Sequence, residues 1–180
     1  MFAANLLDWA EQIRTEGVVR EPYAEARQAP VHEVDIAAVA AAALLSDEHV
    51  AAIYTLTGPE SLTKPEQAAA IGAGLGKDVR FEESTPDQWR VSAYMPEHAI
   101  EWLLSYWWAV AQAPENVLPT VEIVTGRPAH SLTQWARDHA EAFAEVPTRT
   151  LLIIHRRGPA VAFNHEMPGY CSMAPPTACR

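Results

Sequence analysis

The sequence predicts an α/β chain that is mainly helical, with a few short strands. Several segments repeat apolar residues at helical spacing and are bounded by capping residues or glycine. Shorter segments rich in β-branched residues lie between them. The 180 residues are 49% hydrophobic and 20% charged, so the chain can bury a core without disulfides. We place one folded portion at residues 1–145.

The first elements are a helix and two strands. Residues 5–16 carry apolar side chains at helical spacing, and Gly17 follows as a stop. Residues 18–23 and 29–34 predict two short strands around a turn, with prolines that limit ladder pairing.

The middle of the chain continues this alternation. Asp35 stands before an alanine-rich run, and we expect it to cap a helix that ends near Ser46. The run IYTLT at 53–57 is β-branched and aromatic, which predicts a strand. Thr63, with Glu66 three residues later, predicts a capping box at the start of the next helix.

The last elements of the folded portion are mostly helical. Residues 79–83 predict a strand, and Thr85 precedes a proline at the first position of another helix. Residues 96–112 are apolar almost all round, so we expect a helix that is buried or covers a pocket. Ser131 is expected to cap a final helix over 132–143.

The composition changes after this helix. Residues 147–180 hold five of the 14 prolines, both cysteines, four of the 13 basic residues and one of the 23 acidic residues. We expect residues 146–180 to form a poorly ordered, basic, proline-rich tail.

Charge and hydropathy exclude several classes of function. The net charge of −10 argues against nucleic acid and against an anionic membrane surface as partners. No apolar run reaches the ~18 residues of a membrane span, and the N-terminus has no signal-peptide pattern. We expect a cytoplasmic protein, and the bias toward alanine over lysine indicates a GC-rich, bacterial genome.

Three patterns that could carry chemistry have simpler explanations. The glycines of GAGLG at 72–76 follow a predicted helix and precede a strand, which is the reverse of a dinucleotide-binding turn. The seven histidines show no metal-ligand spacing, so we expect no metal site. Tyr23 and Arg27 are four residues apart, as in a tyrosine–lysine pair for proton transfer, but they lie in a segment predicted to be extended. A guanidinium also stays protonated, so Arg27 cannot replace the lysine of such a pair.

The aromatic cluster of residues 102–108 is the strongest candidate for binding. It contains Trp102, Tyr106, Trp107 and Trp108 on one predicted helix. Aromatic side chains line pockets for flat organic molecules, but they also fill cores and the interfaces between lobes. Core or interface packing is the more common role, and direct ligand contact is the alternative.

The order of the segments resembles a known family. The stretch HEVDIAAVAAAALL, the stretch IYTLTGPESLTKPEQAAAIGAGLGKDVRFEESTPDQWR and the closing EIVTGRPAHSLTQWARDHAEAF are similar to the C-terminal half of NmrA-like proteins. These are atypical short-chain dehydrogenase/reductases that bind NAD(P). The resemblance covers residues 2 to about 145, and TLTGPESLT is its most specific piece.

The resemblance implies a Rossmann-type protein and its mainly helical, substrate-binding portion. The N-terminal Rossmann half, with its glycine-rich turn, has no counterpart in this sequence, so we expect a truncated chain without autonomous redox activity. Phe2 and Asn5 match the loop beside the nicotinamide end of the cofactor. Tyr94, Trp102, Tyr106 and Trp107 match, by position, the part that covers the substrate. The resemblance assigns no catalytic residue to this sequence.

The same resemblance sets the expected ligands and partners. NAD(P) is the family cofactor, but we expect none for this chain alone, and the pocket would take a small apolar or aromatic molecule. Faces that pack on the nucleotide-binding sheet would be exposed, which predicts a homo-oligomer or a complementing nucleotide-binding half. The alternatives are a regulatory or small-molecule-binding module and a non-redox isomerase or cyclase.

Overall fold

The computed structural model describes residues 1–144, so the tail predicted at 146–180 lies outside the described residues. The chain begins with a 3₁₀ helix at Ala3–Trp9, which continues into α1 at Ala10–Glu16. Gly17 ends α1 in the left-handed conformation, with φ of 65°. The predicted N-terminal helix is confirmed, although its first part is wound more tightly than an α-helix.

Two strands form a parallel pair. The first, β1, spans Val18–Glu21, and the second, β2, spans Arg80–Glu83. Val18 lies opposite Arg80, and Glu21 lies opposite Glu83. Parallel strands need a long connection, which here contains two α-helices and a short 3₁₀ helix. The strands predicted near 18–23 and 79–83 are therefore confirmed.

The other two predicted strands are wrong. Residues 29–34 make a single isolated bridge, which joins Val31 to Phe2, because Pro30 lacks the N–H that a ladder needs. Residues 53–57 form no regular element and have no strand partner among residues 1–144, and the Ile53 side chain is 95% exposed. Strand propensity alone gives no sheet when no neighbouring strand accepts the pairing.

The alanine-rich helix α2 spans Glu33–Leu45, and its predicted cap is wrong. His32 is the capping residue, since its Nδ1 accepts the Val34 N–H at 3.2 Å. Asp35 lies within the first turn of the helix, where it is buried and accepts the His130 N–H at 2.8 Å. The predicted end at Ser46 is confirmed, and a short 3₁₀ helix follows at Asp47–His49.

Both predicted helix starts marked by threonine are confirmed. The third helix, α3, spans Lys64–Leu75, with a reciprocal capping box between Thr63 and Glu66. Gly76 ends it in the left-handed conformation, so GAGLG is a helix C-terminus. The fourth, α4, spans Pro86–Ser92, and Thr85 makes the same kind of box with Gln88.

The aromatic helix α5 spans Glu97–Gln112 and is buried on one face only. Its buried residues recur at helical spacing, whereas Trp102 is 65% exposed and Trp108 is 57% exposed. Of the two predicted arrangements, a buried helix and a helix that covers a pocket, the first is therefore not found, whereas the second agrees with the cavity described below. Within residues 1–144, no helix combines the length and apolarity that a membrane crossing requires.

Three short elements close the described chain: α6 at Thr120–Thr125, α7 at Leu132–Asp138 and a 3₁₀ helix at Ala140–Phe143. Ser131 caps α7 as predicted, by accepting the Gln134 N–H at 3.2 Å. The final helix predicted over 132–143 thus divides into an α-helix and a 3₁₀ helix.

Helices α3 and α7 pack with almost no space between their backbones. A methyl group on Gly74 would lie 2.6 Å from the Thr133 carbonyl oxygen and 2.7 Å from the Ala136 Cβ. Only a residue without a side chain fits at this contact.

Buried apolar side chains form two clusters. The first cluster unites the N-terminal helices, β1, α3 and α7, and it includes Leu6, Trp9, Ile71, Trp135 and Phe143. The second cluster centres on α4 and α5, and its buried members are Ala26, Trp89, Ile100, Leu104, Trp107 and Val110. Residues of both clusters face the cavity described next.

Candidate functional site

A cavity of about 980 Å³ lies against the N-terminal helices, β1, α4 and α5. This volume is in the range of sites that bind small organic molecules. The cavity is lined by all six residues that the family resemblance matched to the cofactor and substrate regions: Phe2, Asn5, Tyr94, Trp102, Tyr106 and Trp107. Trp108, the fourth aromatic residue of the cluster, is not among its lining residues. The structure therefore brings the predicted residues together, and their role in binding stays a prediction.

The lining changes in character with the element that supplies it. The N-terminal helices and β1 contribute most of the charged lining residues, among them Asp8, Glu16 and Arg20, together with the apolar Leu6 and Trp9. Residues from α4 and α5 are mostly apolar or aromatic. The rings of Trp102 and Tyr106 stack with 5.5 Å between centroids and an interplanar angle of 7°.

A buried ion pair lies at the boundary between these contributions. Lys64 is 1% exposed, and its Nζ lies 2.7 Å from the Glu21 carboxylate and 3.4 Å from the centroid of the Trp107 ring. The indole N–H of Trp9 donates to the other oxygen of Glu21 at 2.7 Å. Burial lowers the pKa of Lys64 by disfavouring its charge, and Glu21 partly opposes this effect.

A second polar network holds Tyr106. Its hydroxyl donates to the Glu115 carboxylate at 2.5 Å and accepts from the Gln28 side-chain amide at 3.2 Å. The other oxygen of Glu115 accepts the Ala29 N–H at 2.7 Å. Burial, together with the hydrogen bond to Glu115, raises the pKa of Tyr106 to about 12, so the phenol keeps its proton.

Arg27 and Tyr23, for which a catalytic role was considered from the sequence, both make structural contacts. Arg27 donates to the Ser61 carbonyl at 3.0 Å and pairs with Glu66 at 3.1 Å, beside the capping box. Tyr23 has a positive φ of 59° in the turn after β1 and packs against the second cluster.

Three histidines form carboxylate contacts around the start of α2. His130 pairs with Asp35 at 2.6 Å, His139 pairs with Glu33 at 2.6 Å, and His32 lies 3.3 Å from Asp138. Among residues 1–144, no group of three or more His, Cys, Asp or Glu side chains is placed to hold a metal ion.

Comparison with known proteins shows that the chain is similar to reductases. A (4-alkanoyl-5-oxo-2,5-dihydrofuran-3-yl)methyl phosphate reductase of Streptomyces griseus is 42% identical over 146 residues, which are 79% of this chain and 52% of that enzyme. An NAD(P)H azoreductase of Xenophilus azovorans is 37% identical over 149 residues, which are 79% of this chain and 51% of that enzyme. Because both of these relatives are reductases, the chain is related to oxidoreductases. The chain spans about half of the length of these relatives.

A solved structure shares the fold. The NADPH-dependent quinone oxidoreductase of Escherichia coli superposes with a TM-score of 0.65 at 19% identity, over 77% of this chain and 52% of that chain. No protein-family model matches the chain. The α/β class predicted from the sequence is confirmed by this likeness.

Among the residues that sequence reasoning missed are four members of the two polar networks: Glu21, Gln28, Lys64 and Glu115. Lys64 is one of two lysines in the chain, and Glu21 ends a strand whose other buried residues are valines. A charged residue at a core-facing strand position is a signal for a buried partner. Gln28 and Glu115 carry no such signal, because neither lies at a core-facing position of a strand.

Proposed function

We propose that the described residues form the substrate-binding portion of an NmrA-like, NAD(P)H-dependent oxidoreductase. The observation that carries this proposal is the convergence of all six predicted residues on one cavity. Its support is the identity of 42% and 37% to two reductases, one of which is named for its use of NAD(P)H. Because the chain spans about half of those enzymes, the activity of the complete unit is part of the proposal.

The residues near the N-terminus fit the nicotinamide end of such a cofactor. Phe2 is exposed and lines the cavity, so its ring can contact a flat heterocycle. Asn5 is also exposed on the cavity, and its amide makes no side-chain hydrogen bond within residues 1–144. An amide supplies a donor and an acceptor, which matches a carboxamide.

The chain's own contribution to the reaction is to bind and orient the substrate. NAD(P)H, when bound, supplies a hydride. Trp102 and Tyr106 offer stacked rings for a flat substrate, and the nearby Trp107 helps keep water out. Holding the reacting atoms at the right distance and orientation reduces the entropic part of the activation barrier.

The nucleotide-binding half completes the unit in this proposal. Leu44, Leu45, Val50 and Ile53 expose most of their apolar surface around the end of α2 and the segment after it. We propose that this surface packs against the nucleotide-binding half, because exposed apolar patches of this kind mark contact sites. By itself, the 180-residue chain then binds NADPH weakly and does not transfer hydride.

A reconstitution experiment tests the proposal. The chain is mixed with the separately produced N-terminal half of the Streptomyces griseus reductase, and NADPH oxidation is followed at 340 nm with menadione as acceptor. We expect oxidation in the mixture and none with either part alone. Absence of oxidation from two folded, associated parts contradicts the proposed activity, and micromolar NADPH affinity of the chain alone contradicts the division of roles.

Matched variants connect the activity to the cavity. Trp102→Ala removes a ring that lines the cavity, whereas Trp108→Ala removes an exposed ring of the same helix that does not line it. We expect the first variant to raise the KM for the acceptor at least several-fold and the second to leave it unchanged.

One observation favours a binding module as the second candidate. The Tyr106 proton is held by Glu115 and the Glu21 carboxylate is held by Lys64, so these groups are engaged with each other rather than free for proton transfer. A chain that binds aromatic molecules, but gives no turnover in the reconstituted mixture, would have this function.

A further inference from the structure

We propose that Tyr106 presents a hydrogen-bond acceptor to the cavity, and that the cavity therefore selects flat aromatic molecules that carry an O–H or N–H group. This inference rests on the proposed function in one respect, since it takes the cavity as the substrate site. It adds the chemical class of the ligand and the residue that recognises it.

The hydrogen bonds of Tyr106 leave it with acceptor capacity only. A phenol has one proton to donate and two lone pairs that accept. The proton is engaged by Glu115 at 2.5 Å, and one lone pair is engaged by Gln28 at 3.2 Å. The remaining lone pair belongs to a half-buried side chain that lines the cavity.

The surrounding contacts keep the phenol in this orientation. The carboxylate of Glu115 is fixed by the Ala29 N–H at 2.7 Å, and the Glu115 N–H donates to the Arg27 carbonyl at 3.2 Å. Rotating the phenol proton toward a ligand would leave a part-buried carboxylate without its charge-assisted bond, which is costly. The proton therefore stays on the side of Glu115.

The Glu21 carboxylate favours the same class of ligand. The Trp9 indole N–H is engaged by Glu21, and the Lys64 ammonium pairs with Glu21 and lies over the Trp107 ring. The carboxylate of Glu21 lines the cavity and has further acceptor capacity. Trp102, stacked on Tyr106, offers a flat apolar surface beside the acceptor oxygen.

Binding of two matched probes tests the inference on the full chain without any cofactor. The probes are 2-naphthol, which has an O–H donor, and 2-methoxynaphthalene, which has the same rings and no donor. Affinities are measured by isothermal titration calorimetry at pH 7. For the parent chain we expect 2-naphthol to bind about 3- to 10-fold more tightly, the range of one net hydrogen bond.

Two variants assign the preference to its residue. Tyr106→Phe removes the acceptor oxygen, and we expect the ratio of the two affinities to fall to about one. Tyr54→Phe is the matched control: its hydroxyl bonds to His49 at 2.7 Å and it does not line the cavity, so the parent ratio should persist.

A third variant changes the direction of the hydrogen bond. Glu115→Ala frees the phenol proton, so we expect the preference for 2-naphthol to shrink in favour of the methoxy compound. Each ratio compares two probes on one variant, and a general loss of stability therefore cancels.

Three results would overturn the inference: equal affinities for both probes in the parent, a parent-like ratio in Tyr106→Phe, or no binding of either probe. The reconstitution assay for NADPH oxidation is independent of these titrations. Failure of the proposed function and failure of this inference are therefore distinguishable.

Discussion

The ammonium of Lys64 lies 3.4 Å from the centroid of the Trp107 ring, and Trp107 itself is only 7% exposed. A cation over an indole face is stabilised by the ring quadrupole, and burial strengthens the attraction. The same ammonium pairs with Glu21 at 2.7 Å. One lysine thus connects the first turn of α3 to both β1 and α5.

Removing Lys64 should be strongly destabilising. In Lys64→Met the Glu21 carboxylate keeps only the Trp9 N–H and loses its counter-charge in a buried position. We expect a loss of about 3–5 kcal/mol in the free energy of unfolding, measured by urea denaturation. The double variant Glu21→Gln/Lys64→Met removes both charges and should recover most of this loss; equal losses in the single and double variants would contradict the ion-pair interpretation.

Trp107 and Trp108 should differ sharply although they are neighbours in sequence. Trp107 is buried against Trp89, with 4.8 Å between ring centroids, whereas Trp108 is exposed. We expect Trp107→Ala to cost about 3–5 kcal/mol and Trp108→Ala to cost less than about 1 kcal/mol in chemical denaturation. A Trp107→Ala variant with parent-like stability would show that this ring serves ligand binding rather than the core.

Tyr106 should ionise later than an ordinary tyrosine. Its pKa is raised from 10.0 to about 12 by burial and by the Glu115 carboxylate. The proton is held more tightly in the folded state, so its contribution to stability is complete below pH 10 and is lost as pH rises toward 12. Absorbance at 295 nm during a pH titration should show a late step that is missing from Tyr106→Phe; coincident titration of both proteins contradicts the raised pKa.

Gly74 should tolerate no added methyl group. Alanine is the better helix former by about 1 kcal/mol, yet its Cβ would press on the Thr133 carbonyl and on Ala136. We expect Gly74→Ala to lose about 1–3 kcal/mol in thermal or urea unfolding. Ala73→Leu adds volume at an exposed position of the same helix and should change stability by less than about 0.5 kcal/mol. A gain in stability for Gly74→Ala would mean that α3 and α7 can separate freely.

Local signals in the sequence were the reliable ones. Thr63 predicts a helix start through a capping box, and Thr85 does so through the proline that follows it, because both signals lie within four residues of the start. Gly17 and Gly76 predict helix ends for the same reason, since the left-handed conformation is a property of one residue.

Errors arose where pairing across the chain decides the outcome. Residues 53–57 have the composition of a strand, but a strand exists only with a neighbour. Asp35 has the chemistry of a cap, yet its carboxylate is taken by His130, which is 95 residues away. His32 caps the helix instead, and histidine is not among the preferred capping residues.

The candidate site was predicted in part. The aromatic residues of α5 were found because their density on one helix is unusual, and Phe2 and Asn5 were found by resemblance. The polar groups that determine the chemistry of the cavity were missed. Glu21 and Lys64 are 43 residues apart, and Gln28 and Tyr106 are 78 residues apart, so only the fold reveals that they touch.

The position of the cavity also affects how the protein unfolds. Leu6 and Trp9 of the first cluster and Trp89 and Trp107 of the second cluster all line the cavity. A ligand that fills this space contacts both hydrophobic clusters, and its binding energy is lost if either one opens. We therefore expect a ligand bound there to make the two clusters unfold as one cooperative unit, so that the bound molecule would act as part of the protein interior.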